Sequence, residues 1–259
     1  VWTADHKQES WNLSKCRTIE VVDTGDRSVQ VTFQSPTADD GQVVDDLSVV
    51  TQLRLSPDTA DLDLRVLNVT GSGTYYLADL IYPARHFHLR SEVDRGMAVI
   101  PYHSGVVVPS HLFPLPSSQF GEWTDWHHQG EMVFEFQVYG DLRMPWYGIH
   151  SSRSGVMTIL PRDGSVDVQY VQNYNDRARI LIQTGQESTR PSILALSPVW
   201  RLNSQHRKPS VRYHFMPCAS YVKMAKHYRS IIHEQGILVS LRDKANKTPG
   251  VHQMIGDIY

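Results

Sequence analysis

The chain of 259 residues reads as all-β, a large two-layer antiparallel β-supersandwich followed by a C-terminal helical linker. Three observations predict this. From Thr18 to Met216, short runs with period-two alternation follow one another with no helical pattern between them. Turn chemistry such as Thr24-Gly25-Asp26, Asp40-Gly41 and Ser56-Pro57-Asp58 punctuates these runs. From Ala219 onward the apolar period changes from that of a strand to that of a helix. About a dozen strands at this spacing, without helices between them, suit a sandwich and not a parallel α/β sheet. Residues 1–217 are therefore assigned to the sandwich and 218–259 to the linker.

In chain order the expected strands are Thr18 to Val22, Ser28 to Phe33, Leu47 to Leu55, Leu62 to Val69, Met97 to Pro101 and Gly105 to Val108. Met132 to Tyr139, Gly155 to Leu160, Asp167 to Val171, Ala178 to Gln183, Ser192 to Val199 and Val211 to Met216 complete the set. Leu62, Leu64 and Val66 alternate with Asp61, Asp63 and Arg65, which makes one face dry and the other wet, as in a half-buried antiparallel strand. Pro109 to Gly130 is expected as one long irregular stretch, and an aromatic-rich loop of that length is either functional or packed on a neighbour. Pro145 interrupts a ladder before Trp146, Tyr147 and Ile149 resume an apolar segment, so the chain is expected to cross between sheets there.

In the linker, Tyr221, Met224, Ala225, Tyr228 and Ile232 fall at helical spacing and form one apolar stripe. Ser220 can cap this helix, predicted over Ala219 to Gln235, and Gly236 ends it. A second helical piece, Ser240 to Asn246, leads to Pro249, and Val251 to Tyr259 is apolar enough for a buried strand or helix. A β module that ends this way is expected to hand over to a further domain.

A hydrophobic content of 41% supports a large core. Lys and Arg number 25 against 27 Asp and Glu, a net charge of −2, which gives no broad field for nucleic acid or an anionic membrane. No apolar run reaches the roughly 20 residues of a membrane helix, and the Val1 start carries no secretory h-region. A start at Val implies an initiator Met lost by processing or by excision from a longer protein. Cys16 and Cys218 are the only cysteines, and spacing leaves open whether they pair. Asn12-Leu13-Ser14, Asn68-Val69-Thr70 and Asn246-Lys247-Thr248 fit the glycosylation acceptor pattern, but such triplets arise by chance; the compartment stays open, with a lean toward extracellular or periplasmic.

Carbohydrate is the ligand class that the side chains favour. Trp123, Trp126, Trp146 and Tyr147 offer flat rings for the C–H faces of pyranoses, and His127 and His128 lie beside the first pair to read hydroxyls; the alternative is that the rings fill the core or an interdomain seam. Glu131 and Glu135, with a nearby His, would suit a sugar mutarotase, the carboxylate taking the anomeric hydroxyl proton while the His donates to the ring oxygen. Charged residues on the wet face of an edge strand explain the pair equally well. His86 and His88 share a strand face, with His103 or His127 as a third ligand, but no carboxylate or cysteine stands at motif spacing, so no metal and no cofactor is expected. Asp39, Asp40, Asp45 and Asp46 around Gly41 miss the alternation of a calcium loop. A phosphate loop, a nucleophile elbow, H-E-x-x-H and C-x-x-C are all absent, so no catalytic residue is assigned.

Three phrases together resemble a known arrangement: Tyr82-Pro83-Ala84-Arg85, the run from Ala98 to Pro109, and Met144-Pro145-Trp146-Tyr147-Gly148-Ile149 followed by Gly155 to Leu160. They look like the N-terminal galactose-mutarotase-type β-supersandwich of glycoside hydrolases related to the endo-α-N-acetylgalactosaminidases. The segment Tyr221 to Arg229 is similar to that family's connector from sandwich to catalytic barrel. The resemblance runs from about residue 75 to the end, and residues before it match only in being β. It implies that Gly256 to Tyr259 opens the first barrel strand, that the barrel of the same polypeptide is a partner, and that the catalytic carboxylates lie there, since barrel enzymes build their sites at strand ends. Three functions follow as expectations: a non-catalytic sandwich module of a carbohydrate-active hydrolase, a stand-alone aldose mutarotase or epimerase, and a carbohydrate-binding or interaction module.

Overall fold

The computed structural model describes residues 2–3, 11–38, 41–71, 75–76, 79–83, 87–89, 96–102, 105–109, 126–128, 131–136, 142, 144–151, 153–162, 165–173, 194–202 and 210–238. The chain divides into two compact units, Val1–Ser220 and Tyr221–Tyr259. Among its described residues the first unit is built of β-strands, with one 3-10 turn at Leu13–Lys15. Its strands are β1 (Trp2–Thr3), β2 (Trp11–Asn12), β3 (Thr18–Gly25), β4 (Ser28–Gln34), β5 (Thr37–Ala38), β6 (Ser48–Leu55), β7 (Asp61–Thr70), β8 (Tyr75–Tyr76), β9 (Asp79–Ile81) and β10 (Phe87–Leu89). They continue with β11 (Met97–Ile100), β12 (Val106–Pro109), β13 (Trp126–His128), β14 (Glu131–Phe136), β15 (Trp146–His150), β16 (Ser154–Ile159), β17 (Val166–Asn173), β18 (Leu194–Arg201) and β19 (Ser210–Pro217).

Among the described residues two large antiparallel sheets make the layers, beside the two-stranded pairs β1-β8 and β2-β5. One has nine strands in the order β12-β11-β15-β16-β19-β7-β6-β4-β3. The other runs β10-β18-β17-β14-β13, with β9 also paired to β18. The all-β, two-layer expectation is what the structure shows. The chain passes from β14 in one sheet to β15 in the other, and Pro145 sits just before β15, where its carbonyl accepts the Leu160 amide at 2.8 Å. Pro145 therefore starts a central strand, the one place there where its missing N–H costs no ladder bond.

Inner faces of both sheets supply one core. Phe33, Val49, Leu64, Val66, Ala98, Ile100, Tyr147, Val211 and Tyr213 come from the nine-stranded sheet and meet Leu80, Val166, Leu196 and Trp200 from the other. Each Val, Leu, Ile or Phe among them contributes about 1.5–3 kcal/mol by leaving water. The indole N–H of Trp200 donates to the Tyr82 carbonyl at 2.7 Å, and Tyr82 meets the Phe33 ring edge-on with centroids 5.6 Å apart. Period two holds at β7: Leu64 and Val66 are buried on the inner face. On the opposite face Arg212 of β19 pairs with Asp63 at 2.9 Å, and His214 bonds Asp61. Cys16 and Cys218 are both thiols with no disulfide between them, and burial pushes the Cys16 thiol up.

In the second unit, helix α1 spans Tyr221–Glu234, within the stretch that spacing predicted. Met224 and Tyr228 of its apolar stripe are buried. Gly236 ends it in the left-handed region with φ +68, which lets the amides of Ile237 and Leu238 return to the Ile232 carbonyl. The expected pieces at Ser240 to Asn246 and Val251 to Tyr259 lie outside the described residues, as does the strand at Ala178 to Gln183.

One expectation is corrected within Pro109 to Gly130. Trp126–His128 is a strand, not loop, and pairs with β14 at the end of the six-stranded sheet. Three residues are too few to display a period, so alternation could not reveal it.

Candidate functional site

The six-stranded sheet places chemistry-bearing residues together through its register. In an antiparallel ladder, directly paired residues share a face and alternate residues swap faces. His128 pairs with Glu131, and Glu131 with Asn173. Two residues along, Trp126 pairs with Val133, Val133 with Val171, Val171 with Ala195, and Ala195 with His88. Two further along, Glu135 pairs with Gln169 and Gln169 with Ser197. Three parallel rows result: a polar row, an apolar row ending in Trp126, and a second polar row.

All three rows lie on the face opposite the core. Leu196, Trp200 and Val166 hold the other parity and are fully buried against the nine-stranded sheet. Asp167 and Val199 pair as the next row of the outer face, and Val199 is completely buried, so that end is closed. Strand separation of about 4.8 Å and a rise of about 3.3 Å per residue set neighbours within a row one strand apart, while the two polar rows stand roughly 13 Å apart along the strands. By residue type the rows combine carboxylates and amides with an aliphatic row, the types of residue that read sugar hydroxyls.

The site residues expected from sequence separate into groups. Trp126 and His128 fall on this outer face; His127, with the other parity, falls on the inner one. Glu131 and Glu135 share the outer face on β14, one strand in from β13. Trp123, His86 and His103 lie outside the described residues, so of the expected metal set only His88, on β10, and the alternative third ligand His127, on β13, are placed. Trp146 and Tyr147 sit in β15 between β11 and β16, at 2% and 1% exposure. Closed off from water, neither ring presents a face to a sugar, and core packing accounts for both. Burial drives the Tyr147 phenol far above its ordinary range, so it stays neutral at any working pH.

Asn173 and Gln169 were not foreseen as site residues. A signal for them existed: in Val166 to Asn173, Asp167, Gln169 and Asn173 alternate with Val166, Val168 and Tyr170, and only the partner strand reveals what stands beside the polar set.

No protein-family model matches the chain, and no curated protein sequence does. Solved structures of the alpha-N-acetylgalactosaminidase NagBb from Bifidobacterium bifidum are similar in fold. The quadruple mutant matches with a TM-score of 0.58 at 14% identity over 93% of this chain and 34% of that one. The complex with Gal-NHAc-DNJ gives 0.58 at 15% over 97% and 37%, and the GalNAc complex 0.57 at 16% over 92% and 34%. The likeness is one of fold, to a part of that enzyme. This chain spans about a third of the length of those structures.

Proposed function

We propose that this chain is the non-catalytic β-sandwich module of a carbohydrate-active glycoside hydrolase, packing on the catalytic barrel of the same polypeptide and offering a glycan-binding face. One observation carries the reading: a fold shared over more than nine-tenths of this chain accounts for only about a third of an alpha-N-acetylgalactosaminidase, which leaves the remainder of such an enzyme to hold the chemistry. The three rows on the outer sheet face, and not Trp146 or Tyr147, supply the sugar contacts in this reading. The kinship with endo-α-N-acetylgalactosaminidases and the role of residues 221–259 as the connector belong to the same proposal.

The test is turnover by the 259-residue chain alone. Incubated with an aryl α-N-acetylgalactosaminide, it should release no aglycone, and it should not speed the interconversion of galactose anomers followed by NMR exchange. Release of aglycone would overturn the proposal. Accelerated anomer exchange would favour a second reading, a mutarotase, for which the register gives one specific support: His128 stands directly across from Glu131. In that case Glu131→Gln should abolish the exchange, because an amide cannot take the anomeric proton.

A further inference from the structure

We infer that the outer face of the nine-stranded sheet, where Arg54, Arg65 and Arg212 surround Asp63, holds the carboxylate or sulfate group of an acidic glycan. This contact is separate from the rows of the six-stranded sheet; it deepens the proposed function and rests on it for the choice of a glycan as ligand. Register builds the cluster. Asp63 of β7 is paired with Arg54 of β6 on one side and Arg212 of β19 on the other, and Arg65 stands two residues further along β7, opposite Gln52 and Ser210. Leu64, Val66, Val211 and Tyr213 alternate with these residues and are buried on the inner face. The three arginines therefore share the outer face, and all three are exposed. A strand spacing of about 4.8 Å and a rise of about 3.3 Å per residue set Arg65 roughly 8 Å from both Arg54 and Arg212, with about 10 Å between those two.

Charge in this cluster is unbalanced. Asp63 is one carboxylate among three guanidiniums, and Arg212 engages it at 2.9 Å. Arg54 and Arg65 make no hydrogen bond or ion pair among the described residues. Asp61, further along β7, is taken by His214 and Thr59, and Asp58 belongs to the turn between β6 and β7. Glu20 of β3 stands about 16 Å from Arg54 and from Arg65, beyond the Debye length of about 10 Å at 0.1 M salt. Two like charges side by side repel, and an anion set between them relieves the repulsion. Each guanidinium presents its N–H donors as a planar fork that suits the paired oxygens of such a group. The whole chain carries 25 basic against 27 acidic residues, so the surplus is confined to this spot and suits a single anionic substituent, not a polyanion. Gln52, whose amide N–H donates to the Ser28 hydroxyl at 2.9 Å, and Ser210 flank Arg65 as uncharged partners for the hydroxyls of the sugar that bears the group.

The intact 259-residue chain would be tested on a printed array that carries the same glycan cores unmodified, with a carboxylate sugar and with a sulfate ester, followed by titration of the best ligand. Acidic versions should bind more tightly than their neutral cores, and the preference should shrink as salt rises from about 0.05 M to about 0.5 M. Arg54→Gln and Arg65→Gln should each weaken acidic-glycan binding by roughly threefold to tenfold. Arg17→Gln, which removes an equally exposed arginine paired with Asp45 outside the cluster, should leave it unchanged. Equal binding of neutral and acidic cores would overturn the inference, as would an equal loss in Arg17→Gln, since net charge alone would then explain the affinity. Displacement of the glycan by a polyglutamate peptide or a DNA oligonucleotide at the same concentration would overturn the choice of a glycan as ligand. No binding anywhere on the array would overturn the inference and leave the module reading standing on the turnover assay; aglycone release there would overturn that reading and leave the arginine cluster to be judged on the array. Each variant must match the circular dichroism spectrum of the unaltered chain, and the two Arg→Gln changes on separate strands keep a test in hand if one does not fold.

Discussion

Replacing Gly155 by Ala should destabilise the sandwich although it adds one methyl group and asks for no unusual backbone angle. A Cβ at this position would lie 2.5 Å from the Cβ of Ala219, 2.8 Å from that of His150 and 3.0 Å from the Ile149 carbonyl oxygen. Carbon atoms pack comfortably at about 3.5–4.0 Å, so the nearest contact is short by roughly 1 Å. Two of the three obstacles belong to β15 and the third to the segment after β19, and none is the tip of a flexible side chain. Overpacking of this kind costs about 1–3 kcal/mol, from which about 0.4–1 kcal/mol is recovered because Ala restricts the unfolded chain. The expected net loss is about 1–2 kcal/mol, or a Tm lowered by roughly 2–8 °C in a chain of this size. Urea unfolding followed by tryptophan fluorescence measures it. Ala219→Gly removes the closest obstacle, so the double variant should be more stable than the sum of the two losses, with a coupling of about 0.5 kcal/mol or more. Should Gly155→Ala unfold with the unaltered chain, or should the two losses simply add, the close approach of Ala219 to β16 is wrong.

Trp146→Ala should cost about 3–5 kcal/mol of stability, measured by urea unfolding, because its ring is buried among strands and not offered to a ligand. Trp200→Phe keeps most of the apolar ring but strands the Tyr82 carbonyl, and a loss of about 1–3 kcal/mol is expected in the same assay. Burial holds the His150 imidazole below its ordinary value against a smaller opposing pull from the Ser151 backbone. The unfolded chain therefore binds that proton first: the contribution is complete above about pH 6.5 and falls away as the pH drops below it, and His150→Gln should flatten this limb in Tm measured against pH. Burial pushes the Asp61 carboxyl up, but hydrogen bonds from His214 and Thr59 and the charges of His214 and Arg212 together bring it below its ordinary value. Its contribution stands above about pH 4 and is lost as the pH falls through the folded-state value, so Asp61→Asn should remove that lower limb and leave the His150 one.

Much of this fold is written in short-range pattern. Leu62, Leu64 and Val66 announce their dry face because alternation is local and the partner strands only complete what it demands. Helix α1 is legible for the same reason, and its end at Gly236 follows from a residue that tolerates a positive φ. What escaped is whatever depends on distant pairing. Trp146 and Tyr147 look like sugar platforms in isolation, and only β11 on one side and β16 on the other turn that segment into an interior strand. The three-residue strand Trp126–His128 exists by virtue of Glu131 to Val133 beside it. Likewise no spacing within β17 says that Asn173 will stand next to Glu131.

Trp126 and Trp146 carry the same chemical message in the sequence, and topology separates them. Trp146 stands in a strand with neighbours on both sides and is almost wholly buried, which commits its indole to packing; its loss is then felt as stability. The strand β13 has one neighbour among the described residues, and the register sets Trp126 on the outer face, beside Val133 and in the row flanked by Glu131 and Glu135. In the proposed function, glycan contact gives Trp126 the role that packing gives Trp146. The two substitutions to Ala therefore dissociate: Trp146 should move unfolding and spare glycan affinity per folded molecule, and Trp126 should do the reverse. If both act only through stability, the outer face is structural surface, and the sugar contacts of this module lie elsewhere.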